Sequence, residues 1–280
     1  MKWKCRYAPS LGALERTHQE VWGTEEYIPE KHLYDPVVFF GLYGLPDWYL
    51  LWRHKGKKAV LWAGSDVKHF LNGYWLDGEG DIRLDNKGLA IWLNWHCENY
   101  VENEVEQQAL LSVGIESKVV PSFLGNVSEY EISYTHADRP KVYVSSGVNR
   151  ELEYGFQTVE DIADKCDVDF YLYGGEWQSV HSNVIVRGRL GKEEMNEEIR
   201  CMQSGLRLNE FDGFSEITAK SILWGQYPIS RISYPFIDSF TNNDDLIGKL
   251  NLLHTKKTPN LVGREYYQKN LNAYPWNENH

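Results

Sequence analysis

The amino-acid sequence predicts an α/β protein with two sheet-containing domains. Short apolar runs suited to buried strands alternate with segments of helical spacing, and this alternation is typical of parallel sheets covered by helices. The alternation restarts after a polar stretch at 124–140, which ends in the chain-breaking Pro140. A chain of 280 residues is long enough for two such domains. We therefore expect domains at 1–138 and 139–280, facing each other across a cleft that suits a large substrate.

In the first half, four short apolar runs are rich in β-forming residues, and three segments have helical spacing or follow a glycine turn. The candidate strands are 36–40, 58–62, 89–93 and 115–120. The candidate helices are 48–54, 67–71 and 98–113. Residues 72–88, rich in Gly and Asp, are expected to form an irregular loop. Residues 1–35 are mixed and polar, with one weakly periodic helix at 11–22.

The second half repeats the pattern of strand, loop and helix. The candidate strands are 141–145, 169–173, 183–186 and 205–208, followed by an apolar segment at 227–232. The candidate helices are 157–166, 193–204, 243–256 and 266–274, and a further one begins at the Gly213 turn and runs to Trp224. Because consecutive strands are joined through helices, we expect a parallel sheet in this half as well.

The segment from Leu208 to Lys220 is the centre of the predicted site. Its sequence indicates the end of a strand, a tight turn at Gly213 and the first turns of a helix. The unpaired N–H groups and the dipole at a helix N-terminus attract phosphate, and the carboxylates of Glu210 and Asp212 would suit sugar hydroxyls. The same residues are equally compatible with an ordinary turn whose acids cap the helix.

Two loops of the first half are candidate ligand-binding segments. Ligands of parallel sheets bind beyond the carboxyl ends of the strands, where we expect the Gly41–Gly44 loop and the turn at Asp66. Asp66 is a candidate general base, although an aspartate that caps the following helix is at least as consistent. The aromatic side chains nearby form either part of an acceptor platform or part of the core: Tyr43, Trp48, Tyr49, Trp52 and Trp62.

Charge and cysteine content narrow the classes of function. The net charge of −11 disfavours a general nucleic-acid surface, because neutralising phosphates needs clustered Lys and Arg. The 4 cysteines form no CxxC pair, which argues against a zinc site and fits a reducing cytoplasm. With no signal-peptide pattern and no long apolar run, we expect a cytoplasmic protein without stable membrane insertion, and peripheral membrane contact stays open.

Four motifs of the second half occur in a recognisable order. They are Lys141–Gly147, a strand with its loop; Tyr171–Gly175, a strand with a glycine end; Asn183–Leu190 followed by Glu193 and Glu194; and Asp212–Ser215 followed by 224–229. This order resembles the donor-binding domain of GT-B-fold glycosyltransferases, in particular the family with an E-x(7)-E motif. There the third passage is written NV-x-x-x-G-x-L-x-x-E-E and the fourth (E/D)-G-F-(G/S) … E-A-x-x-x-G-x-P-V-I.

The first half is similar to the acceptor domain of the same family. Trp62–Asp66 resembles its W-x-G-(S/T)-D motif, and 102–123 resembles its last helix and strand. Tyr274-Pro275-Trp276 looks like the F-S-W motif near the end of that family. Together the likeness spans roughly 37–276.

The resemblance implies a fold of two Rossmann-like domains and a transfer reaction. It implies that a hexose moves from a nucleotide-diphosphate sugar to an acceptor hydroxyl, with retention at the anomeric carbon and without a metal or other cofactor. The expected partners are the nucleotide sugar and an acceptor that stays open between a glycan, a lipid-linked sugar, a protein and a modified nucleic-acid base.

The resemblance and the strand ends together define the candidate site residues. Catalytic candidates are Asp66, Asp212 and Glu210. Donor-binding candidates are Gly147, Arg150, Gly174, Arg187, Arg189, Gly213, Phe214, Ser215, Glu216 and Lys220. Acceptor-side candidates are Gly41, Tyr43, Gly44 and Trp48.

One departure from the family pattern concerns the second Glu of the E-x(7)-E motif. Lys220 stands at that position and Asp212 at the first, so the usual contact to the nucleotide ribose is in doubt. Either Glu216, one helical turn earlier, substitutes for it, or Lys220 pairs with Glu216 and touches no ligand. Two other functions therefore stay open: a nucleotide-sugar epimerase of the same fold and a non-catalytic nucleotide- or sugar-binding protein.

Overall fold

The structure, a computed structural model, describes residues 2–72 and 86–278. Within these residues the chain forms two six-stranded sheets in which all paired strands are parallel. The α/β class predicted from the alternation of strands and helices is confirmed. The predicted loop at 72–88 falls almost entirely outside the described residues.

The first sheet has the strand order β2-β1-β3-β4-β5-β6. Its strands are β1 (Lys4–Tyr7), β2 (Glu25–Glu26), β3 (Val37–Phe40), β4 (Lys58–Leu61), β5 (Glu98–Val101) and β6 (Lys118–Val119). The helices along this part of the chain are α1 (Glu15–Trp22), α2 (Leu45–Arg53), α3 (Ser65–Asn72), α4 (Asn86–His96) and α5 (Glu104–Ser112), with a 3₁₀ segment at Pro9–Leu14.

The second sheet has the strand order β12-β11-β10-β7-β8-β9. Its strands are β7 (Lys141–Ser145), β8 (Asp169–Tyr173), β9 (Val184–Gly188), β10 (Ser204–Arg207), β11 (Ile229–Ser230) and β12 (Asp238–Ser239). The helices are α6 (Phe156–Ile162), α7 (Lys192–Ile199), α8 (Glu216–Leu223), α9 (Asn243–Leu252) and α10 (Leu261–Asn270).

The chain divides into two compact units, and the first of them includes two short segments from the second half of the chain. Unit 1 comprises Met1–Asn126, Phe211–Phe214 and Asn270–His280, and unit 2 comprises Val127–Glu210 and Ser215–Lys269. The division expected at 138/139 is a single cut, whereas here the 211–214 turn and the C-terminal segment pack within unit 1. The turn predicted as the centre of the donor site is thus built into the N-terminal unit.

Unit 1 buries one apolar cluster on each face of its sheet. One cluster packs α2, α3, α4 and α5 against the sheet around Trp62 and Phe70, whose rings meet edge to face at 5.4 Å. The other contains Trp22 of α1 and the C-terminal residues Tyr274 and Trp276. Asn272 fixes this last segment by accepting from the N–H of Phe123 at 2.9 Å.

Unit 2 has one main cluster, in which strands β7, β8 and β10 pack against α6 and α9. Val142 and Val144 on β7, and Phe170 and Leu172 on β8, are two residues apart on one face of the sheet and supply the strand side of this core. Strands β7 to β11 lie within a few residues of their predicted positions, whereas the two-residue strand β12 was not predicted.

Some predictions for individual elements are wrong or incomplete. The run at 89–93 is part of helix α4, in which Ala90 and Leu93 are buried while Ile91 is exposed, the one-sided burial of a helix. The start of the predicted helix at 98–113 is strand β5, and only its second part is helical. Strand β1 was not predicted, and the last helix lies at Leu261–Asn270 instead of 266–274.

Candidate functional site

The order of strands marks one position on the edge of the second sheet. From β7 the chain proceeds to β8 and β9 on one side and returns to β10, β11 and β12 on the other. Such a reversal opens a crevice at the carboxyl ends of the two central strands, where open α/β sheets bind ligands. Here those strands are β7 and β10, which pair through Gly205 and Tyr143.

The loops that follow β7 and β8 meet at this edge. Gly147 and Arg150 follow β7, and Gly174 follows β8 directly. Gly174 has a φ of +92°, and a Cβ built on it would lie 2.1 Å from the carbonyl oxygen of Ser146. The two loops therefore approach as closely as they do only because residue 174 is glycine.

Two arginines lie at the reversal point, and only one of them was predicted. The guanidinium of Arg150 donates from Nε to Glu153 Oε2 at 2.6 Å and lies 5.1 Å from the ring centre of Tyr154. Arg207, the last residue of β10, lies 4.5 Å from the centre of the same ring. The signal that points to Arg207 is its place as a charged residue at the carboxyl end of a central strand.

Arg187 and Arg189 have different surroundings at the end of β9. Arg187 donates from Nε to Glu198 Oε2 at 2.9 Å, and the hydroxyl of Tyr173 donates to the same oxygen at 2.8 Å. The Arg187 guanidinium holds the pKa of Glu198 below its usual range. Arg189 is exposed and, within the described part of the chain, forms no hydrogen bond or ion pair.

Helix α8 directs Lys220 to an amide on α7. Its Nζ donates to Asn196 Oδ1 at 3.2 Å. Burial lowers the pKa of Lys220, and the carboxylate of Glu216, four residues earlier, opposes that shift. Ser215 is the N-cap of this helix, but its hydroxyl makes no capping hydrogen bond.

The two acids predicted on either side of Phe211 lie in different units. Glu210, in unit 2, is exposed and accepts from Nη2 of Arg231 at 2.9 Å. Asp212, in unit 1, is half-buried, and its carbonyl oxygen accepts from Asn103 Nδ2 at 2.7 Å.

Three buried carboxyl groups surround the 211–214 turn inside unit 1. They belong to Asp66 on α3, Glu102 after β5 and Glu106 on α5, and each is at most 6% exposed. Asp66 accepts from the N–H groups of Leu42 at 2.9 Å and Ala63 at 2.8 Å. These contacts favour the helix- and loop-capping interpretation of Asp66.

Burial strongly perturbs the three carboxyl groups. It raises the pKa of Asp66 to about 7 against the pull of its backbone donors. It also raises the pKa of Glu102 to about 7, opposed by hydrogen bonds from Ser122 and Phe214. Burial and the neighbouring Glu102 raise the pKa of Glu106 well above its usual range. Clusters of this kind are frequent at functional sites, and neither Glu102 nor Glu106 was predicted as a site residue.

The turn residues lie directly against this acidic cluster. The N–H of Phe214 donates to Glu102 Oε2 at 2.8 Å. A Cβ built on Gly213 would lie 1.8 Å from the same oxygen, and one built on Gly64 would lie 3.1 Å from the nitrogen of Gly213. The amide that was expected to bind phosphate next to α8 is thus bound to a protein carboxylate.

The acceptor-side candidates lie at the corresponding reversal point of the first sheet, between β1 and β3. Gly41 has a φ of +77°, and the N–H of Gly44 donates to Asp47 Oδ2 at 3.0 Å. The Tyr43 hydroxyl contacts Ser65 Oγ at 3.1 Å. Trp48 is buried and stacks on Phe70, so it belongs to the core.

The remaining aromatic candidates divide between the core and the surface. Trp62 is fully buried, whereas Tyr49 and Trp52 are 56% and 66% exposed on α2. Trp48 and Trp62 are therefore core residues, whereas for Tyr49 and Trp52 a role in an acceptor platform stays a prediction. Among the described residues, the helices include none with the length and apolar character needed to cross a bilayer.

Comparisons with known proteins bear on the fold. No protein-family model and no curated protein sequence matches this chain. Among solved structures, the galactosyltransferase WaaB superimposes with a TM-score of 0.57 at 12% identity, covering 98% of this chain and 96% of WaaB. WaaG gives 0.53 at 9% identity, covering 99% of this chain and 96% of WaaG.

A third structural neighbour is longer than this chain. A point mutant of TarM from S. aureus gives a TM-score of 0.53 at 13% identity, covering 85% of this chain. This chain covers 51% of TarM, so it spans about half the length of that protein. All three neighbours are glycosyltransferases, and identities of 9–13% establish likeness of fold. The chain has the GT-B fold of these glycosyltransferases, as the order of its sequence motifs predicts.

Proposed function

We propose that the protein is a glycosyltransferase that moves a hexose from a nucleotide-diphosphate sugar to an acceptor hydroxyl. The observation that supports this most is the pair Arg150 and Arg207, which flank one tyrosine ring at the strand reversal of the second sheet. Arginine at such a position suits the diphosphate of a nucleotide sugar, because its planar guanidinium donates two parallel hydrogen bonds.

The structural neighbours agree with this proposal in what they bind. The TarM structure contains UDP and α-GlcNAc-glycerol, and WaaB is described as a lipopolysaccharide outer core galactosyltransferase. By analogy the donor of this chain is a nucleotide sugar held by unit 2. The acceptor stays open between a glycan, a lipid-linked sugar, a protein and a modified base, and the protein would act in the cytoplasm or at a membrane surface.

In the proposed reaction the protein supplies charge and position. The leaving diphosphate gains negative charge as the glycosidic bond breaks. Each fixed cation or hydrogen-bond donor placed there stabilises the transition state by about 3–4 kcal/mol. Arg150 and Arg207, with the exposed Arg189, are the candidates for this role. We propose retention at the anomeric carbon and no metal, and a retaining mechanism needs no general base. The buried, hydrogen-bonded Asp66 is compatible with that mechanism.

The test is a turnover assay over a panel of UDP-, GDP-, ADP- and dTDP-sugars, each with and without a panel of acceptors. Release of nucleotide only in the presence of an acceptor would support transfer. Conversion of the donor sugar without an acceptor would instead indicate an epimerase. Tight nucleotide binding without any turnover would contradict the enzyme proposal.

One observation favours the non-catalytic alternative. Position 220, where the related family carries its second motif Glu, is occupied by a lysine that donates to Asn196. A protein that binds a nucleotide sugar without transferring it would tolerate this change. Replacing Lys220 by Glu distinguishes the two alternatives: turnover that appears or rises in that variant would indicate a site that has lost activity.

A further inference from the structure

Helices α2 and α4 of unit 1 are apolar on the side that faces solvent as well as on the side that faces the core. On α2 the exposed side chains of Leu45, Tyr49 and Trp52 recur at the helical spacing of four and three residues. On α4, Ile91 and Trp95 are 61% and 82% exposed, one helical turn apart. We call these side chains the aromatic face. Surface helices normally carry polar residues on this side, so the aromatic face indicates a binding partner.

The two parts of the aromatic face lie on neighbouring elements of the first sheet. Both helices bury side chains in the same apolar cluster against the sheet. Helix α2 leads into β4 and α4 leads into β5, and these two strands are parallel neighbours. An ion pair of 2.8 Å between Lys57 and Glu98 joins the starts of the two strands. The C-terminal ends of both helices, with Trp52 and Trp95, therefore lie at the same end of the sheet.

The exposed Lys and Arg residues on these helices are not matched by acids. Arg53 and Lys87 are exposed on the helices, and Lys55 is exposed two residues after α2. Asp47, the acid within α2, is buried and pairs with Arg6 at 2.6 Å. Among the described side chains of the two helices, no exposed one is acidic, although the chain has 40 acids and a net charge of −11. This distribution favours an anionic partner.

Acidic residues return at the borders of the aromatic face. Beyond α4, Glu116 is exposed, and its N–H donates to Asn94 Oδ1 at 3.0 Å. At the strand starts, the carboxylate of Glu98 is paired with Lys57 and Lys118. The excess of positive charge is therefore confined to the aromatic face and its rim.

We propose that the aromatic face docks on a lipid bilayer whose surface carries anionic headgroups. The rings of Tyr49, Trp52 and Trp95 enter the headgroup region, where Tyr and Trp are favoured because each ring has an apolar body and a polar tip. Arg53 and Lys55 stay at the surface and attract the lipid phosphates. The docking selects the membrane surface from the two locations that the proposed function leaves open. It does not depend on glycosyl transfer, so its failure would leave that proposal standing.

The experiment measures co-sedimentation of the full chain with vesicles of phosphatidylglycerol and phosphatidylcholine in equal amounts. The test variant is Trp52→Gln/Trp95→Gln, in which glutamine keeps a high helix propensity. Because two rings no longer enter the headgroup region, the affinity for the vesicles should fall about 30-fold. The matched control Leu261→Gln/Val262→Gln removes two exposed apolar side chains from α10 of unit 2 and should bind like the wild-type protein.

A second variant tests the electrostatic part of the docking. Arg53→Gln/Lys55→Gln should lower the affinity for the same vesicles about 10-fold at low ionic strength, because each basic residue near an anionic surface adds its own attraction. Binding to vesicles of phosphatidylcholine alone should stay nearly unchanged in this variant. The control Lys249→Gln/Lys269→Gln removes the same charge from α9 and α10 and should change the affinity less than about 2-fold.

The variants should fold because the replaced side chains are largely exposed, and circular dichroism checks this. Trp95→Gln alone, at the most exposed position of the face, should lower the affinity about 5-fold and protects the test against misfolding of the double variant. Absence of wild-type binding to the vesicles would overturn the proposal, as would equal losses in the Trp variant and its Leu261/Val262 control. Dimerisation, or binding of a soluble glycan, that the Trp variant abolishes and that occurs without vesicle binding would also overturn it.

Discussion

The carboxyl edges of the two sheets have opposite chemistry. In unit 1 the acids Asp66, Glu102 and Glu106 are buried and tied to backbone N–H groups. In unit 2 the edge presents arginines, of which Arg150 and Arg187 are exposed and paired with glutamates. Both edges lie where α/β folds bind ligands. The charged side chains are buried at the edge in unit 1 and exposed at the edge in unit 2.

This difference separates residues that determine stability from residues that determine binding. A buried carboxylate loses its hydration on folding and therefore influences the free energy of unfolding and its pH dependence. An exposed Arg–Glu pair contributes about 0–1 kcal/mol to stability, so its arginine can be changed without unfolding the protein. Mutations of the buried acids should consequently change stability, whereas mutations of the exposed arginines should change ligand binding.

The largest expected effect is at a glycine of the unit 2 edge. Gly174→Ala places a Cβ 2.1 Å from the backbone oxygen of Ser146 at a φ of +92°. Because a backbone atom cannot move aside, we expect a loss of about 3 kcal/mol or more in the free energy of unfolding, measured by urea denaturation. This loss would show that close packing at Gly174 contributes to stability even at the exposed edge of unit 2.

The control for that glycine is Gly248→Ala inside α9, where an added Cβ meets nothing within 4 Å. Alanine has the higher helix propensity, so this variant should gain about 0.5–1 kcal/mol. Equal losses in the two variants would show that the close approach of the loops at Gly174 does not exist.

We call the buried carboxyl groups of Asp66, Glu102 and Glu106 the acidic edge. They should make the free energy of unfolding fall as the pH rises. Asp66 and Glu102 have folded pKa values of about 7, above the usual range of unfolded carboxylates, so the folded state binds more protons between these values. Their stabilisation is present below about pH 4 and is lost as the pH rises to about 7. We expect the free energy of unfolding to decrease by a few kcal/mol (about 2–4) from pH 5 to pH 8.

One buried histidine acts in the opposite direction. Burial lowers the pKa of His54 to about 4, so stability from this group rises with pH until its unfolded pKa is passed. Three carboxyl groups outweigh one imidazole, and the net slope stays negative. Glu106→Gln should flatten the slope because it removes one of the three, whereas the exposed Glu104→Gln should leave it unchanged. A stability that rises from pH 5 to pH 8 would contradict the buried acidic edge.

We call the exposed arginines at the carboxyl edge of the second sheet, Arg150 among them, the arginine edge. Replacing them should change the affinity for a nucleotide sugar and leave the stability of the fold nearly unchanged. Arg150→Ala should weaken the affinity for a nucleotide sugar about 10-fold, since a charge-assisted contact is lost, and should change the free energy of unfolding by less than about 1 kcal/mol. Calorimetric titration measures the affinity. The control is Arg139→Ala, because Arg139 pairs with Asp167 and Asp169 at the opposite end of the same sheet. Equal affinity in both variants would remove Arg150 from the donor site.

Strands built around a continuous apolar run were predicted from the sequence, whereas β1, in which charged residues alternate with others, was not. Strands β3, β7 and β8 are apolar runs, so the pattern alone identifies them. Strand β1 has Lys4 and Arg6, and their charges are neutralised by Glu25 and Asp47 from elsewhere in the chain. No local pattern contains such pairing, and for the same reason β5, which begins with Glu98, was assigned to a helix.

Only those parts of the candidate site that have a local sequence signal could be predicted. Gly174, Arg150 and the turn at Gly213 follow strands or glycine motifs that are visible in the sequence. Glu102 and Glu106 look like surface residues of an acidic helix, yet both are buried in unit 1, where Glu102 accepts from the N–H of Phe214. A contact between positions so far apart in sequence leaves no local trace, so the acidic edge could not be predicted.

The smallest predicted effect concerns Glu153, the partner of Arg150. Glu153 neutralises Arg150 through an exposed pair three residues apart, and this pairing competes with an anionic ligand for the guanidinium. Glu153→Gln should therefore raise the affinity for a nucleotide diphosphate about 3-fold, as expected for a surface charge worth about 0.5 kcal/mol. The matched control is Glu197→Gln, which breaks the similar pair with Arg200 at the far end of α7. Because the attraction is between exposed charges, the gain should shrink as salt is raised from low to physiological ionic strength. A gain that is equal in both variants would reflect net charge alone, and the edge at Arg150 would then have no special role.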